Sequence, residues 1–223
     1  KVRDFICEES FLAVISDYIK GRPLSEKLPK GGMTLPKIFD IIEPIGEGLD
    51  LYHRYGIVHG NIKPENILVT REGHGVLLDM GICKDAPWMG LIDDSEFRSP
   101  EQVSERKVTW RHGDRYSFGM LVYRMLAGSM PWDPKVKEEL IPRLKEDDKL
   151  LPLSTFVPRI DVELLAGVME MVLADPNRRP PYCMDIVDSM MDAIAKTDQT
   201  SDVPELDPET MDRARREVSR LDS

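Results

Sequence analysis

His59-Gly60-Asn61-Ile62-Lys63-Pro64-Glu65-Asn66-Ile67-Leu68 is the stretch on which the reading of this chain turns. It begins with polar and small residues, carries a proline between charged neighbours, and runs into apolar Ile67–Val69, a strand signal. Glu72-Gly73-His74-Gly75 then marks a turn, and Val76–Leu78 a second short strand with Asp79 at its end. A lysine, an asparagine and an aspartate thus stand at the ends of short strands. Taken alone, Asn66 and Asp79 read as ordinary turn residues. Their meaning depends on the segments farther along the chain.

Eleven residues past Leu68 comes Asp79-Met80-Gly81, and after it Ser99-Pro100-Glu101. Asp114-Arg115-Tyr116-Ser117-Phe118-Gly119 and Asp175-Pro176-Asn177-Arg178-Arg179-Pro180 complete the set. In this order and spacing the five segments resemble the signature of the protein kinase family. They correspond to the catalytic loop H-R-D-L-K-P-E-N, the metal-binding D-F-G, the A-P-E that closes the activation segment, D-x-W-S-x-G and D-P-x-x-R-P. Any one of them is a weak signal. Together, over roughly residues 1 to 195, they are strong, and Lys63-Pro64-Glu65 resembles serine/threonine kinases more than tyrosine kinases.

The resemblance implies a fold that is mainly α with short β hairpins, the C-terminal lobe of a kinase with its N-terminal lobe largely absent. Residues 1–20 would be the last N-lobe strands and the hinge, and 21–195 the C-lobe; beyond the resemblance, 196–206 reads from its composition as an acidic linker and 207–223 from its patterning as an amphipathic helix. It also implies ATP and Mg²⁺ as cofactors, given an N-lobe in a longer protein. Asp17, Tyr18 and Ile19 would lie at the adenine edge, with Leu68 also in the nucleotide site. Asp79 and Asn66 would supply hard oxygen ligands to Mg²⁺, and Lys63 would neutralise the phosphate in transfer. His59, Asp94, Glu101, Asp114 and Arg179 take structural places. In the family, Glu101 pairs with Arg179, and Asp114 bonds the backbone of the catalytic loop.

The departures from the pattern carry as much weight. The family's catalytic aspartate is replaced by Asn61, and an amide cannot take up a proton at neutral pH. The preceding arginine is Gly60, so the basic residue that holds a phosphorylated activation loop is missing. Ser95 is the only hydroxyl residue between Gly81 and Ser99, which argues against regulation by loop phosphorylation. Asp94 stands where the family usually has threonine and is read as a partner for Lys63, or alternatively as a substitute base. Met80 for phenylalanine is mild, since methionine fills the same apolar slot. These changes point to a pseudokinase that binds a protein partner and retains Mg–ATP. The retained Lys63, Asn66 and Asp79 leave a slow serine/threonine kinase as the alternative. His59-Gly60-Asn61 echoes the H-G-D of small-molecule phosphotransferases, but Lys63-Pro64-Glu65 and Ser99-Pro100-Glu101 speak against that group.

Around these motifs the elements emerge from patterning. Phe5 to Ile19, broken at Glu8-Glu9-Ser10, reads as a hairpin, and Gly21-Arg22-Pro23 as a break. Ile38, Ile41, Ile42, Ile45, Leu49 and Tyr52 fall at helical spacing, ended by Gly56. Ile45-Gly46-Glu47-Gly48 looks like a nucleotide-binding glycine loop, but it lies inside that helix and is a decoy. The span from Gly81 to about Arg111 reads as irregular, and Tyr116–Ala127, Val162–Leu173 and Met184–Ile194 read as helices. In the tail, Asp207-Pro208-Glu209 starts a helix with Met211, Ala214, Val218 and Leu221 on one stripe. It would fold back on its own domain or dock to another helix.

Composition excludes other classes. The 223 residues are 41 % hydrophobic, enough for a sizeable core, and carry a net charge of -10, the wrong sign for a general nucleic-acid binder. Cys7, Cys83 and Cys183 have no C-x-x-C spacing, and the four histidines are scattered, so neither a disulfide framework nor a zinc site is expected. No apolar run reaches the roughly 18 residues of a membrane span, and no signal-peptide pattern opens the chain. The expectation is a soluble, cytoplasmic protein, and the start at Lys1 without methionine suggests a fragment of something longer.

Overall fold

A computed structural model describes residues 2–7, 12–29, 31–78, 96–105, 111–132 and 150–197. Asp79, Met80, Asp94, Ser95 and the 207–223 segment lie outside the described residues.

Strands β1 (Val2–Cys7) and β2 (Leu12–Ser16) pair antiparallel, with Phe5 opposite Val14 and Cys7 opposite Leu12, as the broken apolar run predicts. A separate antiparallel sheet has the order β3 (Gly21–Pro23), β4 (Ile67–Thr70), β5 (Gly75–Leu77). β3 corrects the sequence reading, which took these residues only as a break. It is an edge strand, where the missing N–H of Pro23 disturbs no ladder. Its pairing of Gly21 with Thr70 and Pro23 with Leu68 spans some forty-five residues and has no local signature.

Helix α1 (Leu35–Arg54) buries the expected face of Ile38, Ile41, Ile42, Ile45 and Leu49. Pro44 sits inside it, at a cost of about 3 kcal/mol in an isolated helix. Five buried aliphatic side chains, each worth about 1.5–3 kcal/mol, offset that cost. The helix stops at Arg54; the Gly56 N–H reaches the His53 carbonyl at 3.1 Å. Gly46 and Gly48 are inside α1, so the apparent glycine loop is helix.

Helix α2 (Pro100–Glu105) interrupts the span read as irregular. At six residues it is too short to show a period, and only its start signals could have revealed it. Helix α3 (Arg111–Ala127) begins five residues before Tyr116 and is buried on every side, with Tyr116, Phe118, Met120, Leu121 and Tyr123 all inaccessible to solvent. Such a helix is the axis of a core and has no amphipathic stripe. Helix α4 (Val162–Met171) crosses it so closely at Gly119 that a Cβ there would lie 2.4 Å from that of Met171. Helix α5 (Met184–Thr197) packs on α1, with Met184 and Val187 against Gly46. Asp50 of α1 accepts the Cys183 and Met184 N–H groups at 2.9 and 3.0 Å, so one helix caps the start of another.

Candidate active site

The loop from His59 to Asn66 is held by its backbone from three directions. From α3, the buried Asp114 accepts the His59 N–H at 2.8 Å and the Gly60 N–H at 2.7 Å, and takes a third bond from His53 Nε2 at 2.8 Å. A carboxylate accepts only, so these three donors converge on it without competition. On the side of β5, His59 Nε2 lies 2.7 Å from the Leu78 carbonyl, and the Asn61 N–H donates to His59 Nδ1 at 3.1 Å. A carbonyl cannot donate, so the proton sits on Nε2 and the Nδ1 lone pair receives Asn61. The Leu78 N–H in turn donates to the Asn66 carbonyl at 2.8 Å. Leu78 is therefore bound through both its backbone groups, one residue before Asp79.

Asn66 closes a single 3-10 turn, Pro64–Asn66, that leads into β4. Its Nδ2 donates to the Asn61 carbonyl at 2.8 Å. That bond fixes the amide's orientation, because only the nitrogen side can donate, and it makes Oδ1 the atom a cation could use. Gly60 has φ of +76°. A side chain in that left-handed region costs about 1–2 kcal/mol, which glycine avoids.

The third hold comes from Gln102, which the sequence reading missed. Its Oε1 accepts the Ser99 N–H at 2.9 Å and the Ser99 hydroxyl at 3.1 Å, while its Nε2 donates to the Gly60 carbonyl at 3.3 Å. Ser99-Pro100-Glu101-Gln102 is a serine with glutamine three residues on and proline between, the pattern of a capping box. That pattern could have announced both α2 and this glutamine; the bond to Gly60 could not be read, since it joins residues 42 apart.

Arg179, whose side chain is fully buried, uses all five of its N–H groups. Nη1 and Nη2 grip Glu101 at 2.6 and 2.8 Å, Nε reaches the Leu173 carbonyl at 2.8 Å, and the other two donate to His112 and Ala174 at 2.8 and 3.1 Å. Its guanidinium also lies 5.0 Å from the centre of the Tyr116 ring. Burial pushes the Glu101 carboxyl upward, but the hydrogen bonds and charge of Arg179, helped by Ser99 and the backbone, outweigh it and hold the group below its usual value. Burial first, then the charges of Arg115, Arg111 and Arg179, lower His112 and keep it neutral at pH 7.

Between β2 and β3 the geometry is looser. Asp17, Tyr18 and Ile19 connect β2 to β3, and Asp17 pairs with Arg3 at 2.6 and 3.1 Å, which holds its carboxyl below the usual range. Tyr18 is 90 % exposed, so its ring lines no enclosed site. Leu68 is half-buried on β4, opposite Pro23. Asn61 and Lys63 are half-buried on the loop. The expected pairing of Lys63 with Asp94 and the expected metal ligand Asp79 fall outside the described residues. Among the described residues no cluster of three or more His, Cys, Asp or Glu side chains could hold a metal.

The model of the protein kinase domain matches residues 1–196. The chain belongs to the protein kinase family. This kinase domain is 28 % identical to the serine/threonine-protein kinase pkn2 of Myxococcus xanthus over 85 % of the chain and 24 % of that relative. It is 30 % identical to a probable serine/threonine-protein kinase of Streptomyces coelicolor, over 79 % of the chain and 27 % of the relative. A serine/threonine-protein kinase of Corynebacterium efficiens, drp72, is 35 % identical over 55 % of the chain and 25 % of the relative. The chain thus spans about a quarter of the length of these curated relatives. No described helix of the kinase domain is long and apolar enough to cross a membrane.

Proposed function

We propose that this kinase domain is the C-lobe of a pseudokinase that binds a protein partner and retains Mg–ATP. The observation that carries the reading is Asn61. The loop around it is anchored at His59, Gly60 and Asn66 as a working loop would need, yet its side chain is an amide. Proton transfer by a positioned base contributes about 10²–10⁴-fold, and Asn61 cannot supply it. Asp79 would hold one metal ion and Asn66 Oδ1 a second; bound there, the ions would neutralise phosphate charge, and Lys63 would add a cation beside them. Residues 1–20 would form the hinge side, with Asp17 to Ile19 and Leu68 toward the adenine. Residues 21–195 would form the lobe; its last helix, α5, runs on through Lys196 to Thr197, two residues into the segment that the sequence reading took as the start of an acidic linker. The Glu101–Arg179 pair and the Asp114 clamp support a lobe whose architecture is kept for binding.

A slow serine/threonine kinase is the second reading, favoured by the retained Lys63, Asn66 and Asp79 and by the names of the relatives. The test is Mg²⁺-dependent phosphate transfer from ATP to protein hydroxyls by the longest available form of the protein. Asn61→Asp and Asp79→Asn are assayed beside it. An inactive parent that gains transfer in Asn61→Asp supports the pseudokinase. Transfer by the parent that disappears in Asp79→Asn overturns it in favour of the kinase.

A further inference from the structure

Residues 106–115 hold Arg106, Lys107, Arg111 and Arg115 against one acid, Asp114, in a chain whose net charge is -10. Residues 111–115 open helix α3. Arg111 is exposed, whereas Arg115, about one turn on, is only 6 % exposed. Side chains four apart on a helix lie one above the other and lean toward its N-terminus, so Arg115 runs back over the first turn beside Arg111. The electrostatics there are unfavourable. A helix N-terminus carries about half a positive charge, and like charges four residues apart repel. His112 registers the field: burial first, then the charges of Arg115, Arg111 and the already paired Arg179, lower it.

No described carboxylate bonds Arg115. Its Nη1 faces His112 Nδ1 at 3.4 Å, a long contact for a hydrogen bond. Among the described residues neither Nε, which is buried, nor Nη2 has a partner. Nε and Nη2 make the side fork of a guanidinium, the pair with which Arg3 holds both oxygens of Asp17 at 2.6 and 3.1 Å. Asp50 and Asp185 lie near enough for their charge to be felt at Arg115, but their oxygens are engaged elsewhere. Asp50 accepts the Cys183 and Met184 N–H groups, and Asp185 the Tyr182 N–H at 3.1 Å. Asp114 takes its three donors from His53, His59 and Gly60. A buried cation whose fork is unpaired is destabilising, and an oxyanion would satisfy it.

We propose that the first turn of α3 binds a phosphate group, free or carried on a protein side chain, between the side fork of Arg115 and the guanidinium of Arg111. Two oxygens meet Nε and Nη2 of Arg115, a third meets Arg111, and the helix N-terminus adds its partial positive charge. A phosphate suits this arrangement better than a carboxylate, which has only two oxygens to offer. Binding here needs no nucleotide and does not depend on whether Asn61 silences transfer.

The Nε–H signal of Arg115, followed by nitrogen-15 NMR on the 1–223 chain and identified by its loss in Arg115→Gln, tests the site. Inorganic phosphate is titrated at constant ionic strength, so that screening does not change. The signal is expected to shift saturably, with half-saturation at about 1 mM. Arg111→Gln changes an exposed side chain, leaves the fold in place, and is expected to weaken binding about three- to fivefold. No saturable shift at about ten times the expected half-saturation overturns the proposal. Undiminished binding in Arg111→Gln overturns it too, as does an equal shift with chloride or acetate. A glycine-flanked phosphoserine peptide, beside its unphosphorylated form, separates the two sources. Tighter binding than inorganic phosphate assigns the site to phosphate on a protein, and equal or weaker binding assigns it to the free anion.

Discussion

Replacing Arg179 by alanine removes five hydrogen bonds at once and strands their acceptors. Two of those bonds go to the Glu101 carboxylate and three to the carbonyls of His112, Leu173 and Ala174. Removing one partner of a buried ion pair costs about 3–5 kcal/mol. The orphaned carbonyls would add about 1–3 kcal/mol each if they stayed dry, but the vacated volume admits water, so the lower figure for the pair is the safer guide. For a domain of this size each kcal/mol moves the melting temperature by about 2–4 °C, so a fall of about 6–20 °C is expected. Far-UV circular dichroism on heating measures it. Arg179→Lys keeps the charge but cannot grip both carboxylate oxygens while reaching three carbonyls, and should fall between parent and alanine. A loss below about 3 °C in Arg179→Ala would refute the idea that this cluster joins α2, α3 and the Asp175–Pro180 segment.

The same pair predicts an acid dependence. Glu101 titrates below its ordinary value of 4.5 in the folded state, so its contribution is complete above that pH and is lost as pH falls through the lower folded value. The stability gap between parent and Glu101→Gln, measured by urea unfolding, should be constant above pH 4.5 and close below it. Asp50→Ala uncaps α5 and should cost about 0.5–2 kcal/mol in the same unfolding experiment, provided no other group reaches the Cys183 and Met184 N–H groups. Gly60→Arg restores the family's residue at a position with φ of +76° and should destabilise by about 1–2 kcal/mol; a neutral or stabilising result would show that the loop relaxes easily. Asp114→Ala leaves the His59 and Gly60 N–H groups without their acceptor and should both lower the melting temperature and speed exchange of those two amides.

Much of this protein could be read from residue order alone. The motif series from His59 to Pro180 pointed to the protein kinase family because its members recur at spacings that a local accident does not produce. The buried face of α1 was legible because aliphatic residues at three- and four-residue intervals have one low-energy solution, a helix against a core. The chemical deficit at Asn61 is a property of an amide and needs no coordinates. Other features were out of reach. β3 exists because Gly21–Pro23 meets Leu68–Thr70, and three residues that read as a break become a strand only when a distant partner supplies the ladder. Gln102 could be suspected as part of a helix cap, but its bond to Gly60 is made by the approach of two segments far apart in the chain. Arg179 could be paired with Glu101 from its motif; that it also satisfies three carbonyls depends on the packing of α2 and α3 against the segment after α4. Sequence by itself set the residue types, the local periods and the chemistry available at each position. Tertiary structure alone decided which donors meet which acceptors, because a hydrogen bond is fixed by distance and angle in space and a long-range pairing leaves no periodic trace along the chain.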